Sequence, residues 1–110
     1  MSKKFKYLDD LIHSGAKEIV LDSDIVLSDS EESEYEGGIK LDVDDLTIDG
    51  NGHTIDAQGK ARIFCCRGKN INVKNIVLKN GLAQKFGGAI YNDYGELTIA
   101  ESAFSQNAES

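Results

Sequence analysis

Carboxylates and one histidine crowd a short stretch of this chain, with Asp42, Asp44, Asp45, Asp49, His53 and Asp56 all lying between positions 42 and 56. Two carboxylates held about 5–9 Å apart on one face are the minimum equipment for glycoside hydrolysis, one protonating the leaving oxygen and the other attacking or activating water. Asp44, Asp45, Asp49 and His53 are the candidate catalytic groups on that reading. The same residue types also build tight turns. In Asp49-Gly50-Asn51-Gly52 and Asp56-Ala57-Gln58-Gly59, Asp and Asn side chains bond to nearby backbone and Gly supplies positive φ. His53 falls in the first of these turns, with no evident partner. A corner role is therefore the expectation for the cluster.

Other reactive residues carry less. The adjacent thiols Cys65 and Cys66 should point to opposite faces of a strand, one buried and one exposed, and without His or further Cys they make no zinc site. The exposed thiol could link two chains under oxidising conditions. Ser28 to Glu36 holds five acids and no apolar periodicity, and reads as a solvated, mobile excursion. Carboxylates suit calcium, but the Asp-x-Asp-x-Asp-Gly layout of a dedicated loop is missing. Lys69, Lys74 and Lys79, at intervals of five, could form a basic strip for anionic polysaccharide, although lysines on a strand more often solvate it. Tyr91 and Tyr94 could offer platforms to sugars, with packing against their turn the expected role. No cofactor-binding or metal-ligating set emerges.

The whole chain has 110 residues and a formal net charge of −7. That length suits a single domain over residues 1–110. The acidic balance argues against nucleic acid and acidic membrane surfaces, both of which attract basic patches. No apolar run reaches 18 residues, so no membrane insertion is expected. No signal-type apolar core follows Met1-Ser2-Lys3-Lys4-Phe5.

The elements that must position these residues recur. Leu46-Thr47-Ile48, Ile71-Asn72-Val73 and Leu97-Thr98-Ile99 each alternate apolar and polar residues, with steps of 25 and 26 positions between them. Each leads through a polar turn into further apolar residues. This is the signature of stacked coils that bury their inner faces on one another. The period-2 alternation makes them short strands, and no gap carries the periodicity of a crossover helix. Stacking would put Leu46, Ile71 and Leu97 in one inward row and Ile48, Val73 and Ile99 in another, about 4.8 Å apart. A charge in either row would cost several kcal/mol, and none occurs.

Upstream, Phe5, Leu8, Leu11 and Ile12 lie on one helical stripe. Residues 4–14 are thus expected to form an amphipathic helix that covers the open first coil, ended by Ser14-Gly15. Residues 18–41 supply the first strands, with the acidic loop 28–36 among them, and residues 46–110 the repeated coils. About four coils are expected in all. Gly81 to Phe86 reads as a loop, and the small residues at 87–89 let the backbone turn closely into the next coil.

The pairing of Gly87-Gly88-Ala89-Ile90 with Phe104-Ser105-Gln106-Asn107 resembles the repeats of chlamydial polymorphic outer-membrane proteins and of the adhesin-like β-helix proteins of methanogenic archaea. The stretch LTIDGNGHTID at 46–56 resembles the first coils of the latter. The resemblance implies a short right-handed parallel β-helix of the pectate-lyase-like superfamily, with Gly87, Gly88, Ala89, Ile90, Phe104 and Asn107 as structural motif residues. It also implies a surface location and a non-catalytic, adhesin-like role toward carbohydrate or a surface protein. The alternative is a carbohydrate-active protein that binds or cleaves acidic polysaccharide. Carbohydrate-cleaving relatives carry Asp clusters with basic residues on a middle coil, whereas Asp44-Asp45 precedes the first full repeat. No cap is recognisable after Asn107, so the chain reads as the N-terminal part of a longer solenoid, or as a small protein self-associating through its last coil.

Overall fold

The computed structural model describes residues 1–83 and 88–109. It begins with helix α1 (Phe5–Ile12), followed by β1 (Glu18–Val20), β2 (Ile25–Val26), a 3-10 turn (Asp29–Glu31) and β3 (Ile39–Leu41). A second coil contains β4 (Leu46–Asp49), β5 (Thr54–Asp56) and β6 (Phe64–Cys66). A third contains β7 (Ile71–Lys74), β8 (Val77–Lys79), β9 (Leu82–Ala83) and β10 (Ile90–Asn92). Then come β11 (Leu97–Ala100), β12 (Ala103–Ser105) and β13 (Ala108–Glu109). Every pairing between these strands is parallel. The architecture is a parallel β-helix of about three turns with one N-terminal helix, rather than about four, because β11 to β13 only begin the next coil.

Three walls enclose the core. One has the order β1-β4-β7-β11, a second β12-β8-β5-β2 and a third β10-β6-β3, while β13 and β9 form a short ladder. In the first wall Leu46 pairs with Ile71 and Ile71 with Leu97, and the row Ile48, Val73, Ile99 stands as the spacing predicts. Ile19 joins that row through its pairing with Ile48. The second wall stacks Ile25, Ile55, Leu78 and Phe104. The third stacks Ile39, Phe64 and Ile90. Alternation sends these residues inward, and Phe64, Ile48 and Ile55 are fully buried. In the same way Cys66 is buried and Cys65, between Lys40 and Tyr91 on the outer face, is half-buried.

Helix α1 buries Phe5, Leu8 and Ile12 against the first coil. Its entry is pinned by a parallel bridge between Lys3 and Ile25, which places a backbone segment along the outer edge of β2. Gly15, at φ 91°, follows the helix as a left-handed stop.

The acidic segment 28–36 is exposed at six of its nine residues, as expected, but is anchored at two. Glu31 and Tyr35 are both buried. The Tyr35 ring meets Phe5 edge-on at 5.8 Å, and its hydroxyl donates to Asp9 at 2.7 Å. Burial and the Asp9 carboxylate push the Tyr35 phenol well above its ordinary range. The segment packs as a strap beside α1. Four of its five acids are exposed, and Glu31 is the exception because backbone donors reach it.

Candidate binding groove

The corners between strands decide what the candidate residues do. Asp49, at the end of β4, accepts the backbone N–H of Asn51 at 2.9 Å and the Asn75 side-chain amide at 3.2 Å. Those bonds, the Asn51 one foremost, hold its carboxyl below the usual range. Asp56 repeats the arrangement one wall further on, accepting from Gln58 N–H at 2.8 Å and Asn80 Nδ2 at 3.0 Å. Asp44 accepts the Lys69 N–H at 2.8 Å, and Asp45, at φ 58°, accepts Asn70 Nδ2 at 3.0 Å. Each of these aspartates thus ties its corner to the coil that stacks on it. The Asn residues one repeat later (Asn70, Asn75, Asn80) all adopt positive φ, which Asn tolerates better than most residues.

His53 does have a partner. Its Nδ1 lies 3.2 Å from Asp24 Oδ1, and Asp24 also accepts the Thr54 N–H at 3.0 Å. The Thr54 bond is the leading cause that lowers the Asp24 carboxyl. Sequence reading missed this contact because the two residues are 29 positions apart and the first coil falls outside the regular 25-residue spacing.

The remaining candidates separate. Lys74 ends β7 beside Asp49 and Ala100, whereas Lys79 ends β8 beside Asp56 and Ser105, so they lie on different walls. Lys69 donates to the Tyr94 carbonyl at 2.9 Å. The three form no single strip. Tyr94 does not pack against its turn, since it is 91% exposed at φ 62°. The Tyr91 ring lies under the Arg62 guanidinium at 5.1 Å.

Of the motif residues, Gly87 lies outside the described residues, as do 84–86 of the expected loop. Leu82–Ala83, in that same stretch, is strand β9. Gly88 passes so close to Ala108 that a Cβ there would strike its backbone. Ala89 is buried and its carbonyl accepts from both Ile63 and Phe64. Ile90 stacks on Phe64. Phe104 stacks on Leu78 but stays 52% exposed at the outermost coil. Asn107 accepts the Gly81 N–H at 2.7 Å and donates to the Leu78 carbonyl at 2.9 Å.

Where the first wall turns into the second, the coils leave a groove of about 530 Å³. Asp49, Asn51, Asn75 and Glu101 line it together with Ser102, over a floor containing Ile76 and Val77. The groove exists because the corner after β4 is longer than those above it. Residues 50–53 separate β4 from β5, whereas only 75–76 separate β7 from β8 and 101–102 separate β11 from β12. The longer corner projects as a ledge beside the tighter ones. Gly50 permits this, since a Cβ there would meet the Asn75 carbonyl and the Ile76 side chain.

Among the described residues, no group of three or more His, Cys, Asp or Glu side chains is placed to hold a metal ion. No described helix is long and apolar enough to cross a membrane.

A family model, that of a pectate lyase-like adhesive domain, matches residues 6–108. The chain belongs to this family. The match runs from within α1 to the start of β13 and takes in both sides of the groove of this pectate lyase-like adhesive domain. Comparison with curated proteins and with solved structures yields no match.

Proposed function

We propose that this pectate lyase-like adhesive domain is a non-catalytic module of a cell surface, presenting its corners and outer walls to a carbohydrate or a surface protein. The observation that supports this best is the state of Asp49. Its Oδ1 accepts from the Asn51 N–H and from the Asn75 side-chain amide, so the carboxylate is committed to joining its corner to the next coil. Asp44, Asp45 and His53 are likewise engaged in joining coils. The experiment is a screen of acidic and neutral polysaccharides for binding and cleavage. Retention without cleavage is the expected result. Turnover lost in Asp44→Ala or Asp49→Ala would instead establish the carbohydrate-cleaving alternative.

Self-association belongs to the same proposal. Ile99 and Phe104 occupy the outermost places of their rows, 36% and 52% exposed, and β10, β11 and β12 are edge strands. At the opposite end α1 and the Lys3 bridge cover the first coil. Two copies would therefore meet through their last coils, in a closed pair rather than a fibre.

A further inference from the structure

The side chains that line the groove are rich in acceptors and poor in donors. The Asn51 side-chain amide donates to the Leu21 carbonyl at 3.3 Å, and the Asn75 amide donates to Asp49. The Ser102 hydroxyl donates to the Ala100 carbonyl at 2.8 Å, and the Gly52 N–H to the Asn75 carbonyl at 2.9 Å. Each side-chain donor that lines the groove thus makes a hydrogen bond within the fold. The side chains leave mainly acceptor capacity, namely the second carboxylate oxygen of Asp49, the side-chain carbonyls of Asn51 and Asn75, and the exposed Glu101 carboxylate. Lys74 is the cation that acts on Asp49, but it is not among the lining residues. Glu101 makes no ion pair among the described residues.

An occupant should therefore bring donors and positive charge, with an apolar portion to lie on Val77 and Ala103. A pyranose ring would want an aromatic platform, and none lines the groove. A guanidinium or ammonium on a methylene stem fits both halves of the requirement, because its stem covers apolar surface while its head stays polar.

We propose that the groove takes an arginine or lysine side chain presented by an exposed segment of a partner protein. This rests on the adhesive reading and names the partner chemistry. The net charge of −7 favours approach of such a segment from a distance.

The test titrates the isotope-labelled intact chain with the acetylated peptide Gly-Arg-Gly-Arg-Gly. Its citrulline counterpart, neutral but of the same shape, and a glucosamine tetramer run in parallel. The arginine peptide should shift the amides of Asn51, Gly52, Asn75 and Ser102, and its affinity should fall with added salt. Glu101→Gln, at an exposed position where folding is undisturbed, should weaken it about fivefold. Equal binding of the citrulline peptide, binding unchanged in Glu101→Gln, or capture of the glucosamine tetramer alone would overturn the proposal. Attachment of the chain to protein-coated surfaces separates the two readings. Attachment that Glu101→Gln leaves intact removes the groove and keeps the adhesive role, whereas groove binding without attachment to any surface does the reverse.

Discussion

Glu31 accepts the backbone N–H of Lys6 at 2.8 Å, from 25 positions away in sequence. Its other oxygen accepts from Phe5 N–H at 3.3 Å, and from the Ser28 N–H and hydroxyl at 3.1 and 2.9 Å. Lys4, the residue at the N-cap position of α1, supplies no side-chain cap. The first turn of the helix therefore receives its acceptor from the acidic strap, and the negative charge sits where the helix dipole favours it. Burial alone would raise the Glu31 carboxyl, but the four donors outweigh it and the net shift is downward.

Removing that carboxylate should loosen the cap. Glu31→Ala leaves the amides of Phe5 and Lys6 and the Ser28 group without their acceptor, at a cost of about 2–3 kcal/mol, read by urea or thermal unfolding. Glu31→Gln keeps one acceptor and should cost less. Because the folded carboxyl is depressed, its contribution is full above the ordinary value of 4.5 and disappears as pH falls through the folded value. The acid limb of the wild-type stability curve should be steeper than that of Glu31→Gln. Identical limbs would refute the assignment.

His13 works in the opposite sense. Its Nε2 lies 2.6 Å from Asp42 Oδ1, and its Nδ1 is 2.9 Å from the Asp9 carbonyl and 2.8 Å from the Asp9 carboxylate. Burial lowers its pKa, but the Asp42 and Asp9 contacts together raise it above 6.5. A raised folded pKa gives stability that is full below 6.5 and is lost as pH climbs through the folded value. His13 is partly solvated, so the effect should be shallow, about 0.5 kcal/mol. Thermal melting above pH 6.5 should show this decline in the wild type and a flatter profile in His13→Gln.

Close packing of corners makes one glycine far more sensitive than another. A Cβ on Gly68 would overlap the Val43 carbonyl, whereas one on Gly37 would meet nothing within 4 Å. Gly68→Ala should destabilise by about 3 kcal/mol through forced backbone movement, while Gly37→Ala should be nearly neutral. Denaturant midpoints compare them directly, and equal midpoints would contradict the stacking of these corners.

Position along a single row should separate folding from association. Val73 and Ile99 are register partners, yet Val73 is 1% exposed and Ile99 36% exposed. Val73→Asp buries an unpaired charge and should unfold the domain. Ile99→Asp should leave circular dichroism unchanged and abolish the concentration-dependent rise in mass expected in light scattering. A wild type that stays monomeric at high concentration would end the self-association proposal.

The coil is legible in the order of residues alone. Aliphatic residues at every second place, recurring after 25 and 26 positions, leave one way for Leu46, Ile71 and Leu97 to be buried together, because burial of apolar area is blind to everything except which face a residue occupies. The Asp-Gly-Asn-Gly corner was legible for the same local reason, since turn chemistry acts within a few residues. Tertiary structure decided the rest. Whether Glu31 is solvated or buried, whether His53 has a partner, and whether Asp49 faces a groove all depend on residues a full coil away or more. A carboxylate or an imidazole takes its role from the donors brought to it, and only the closed solenoid brings Lys6 to Glu31, Asp24 to His53 and Asn75 to Asp49.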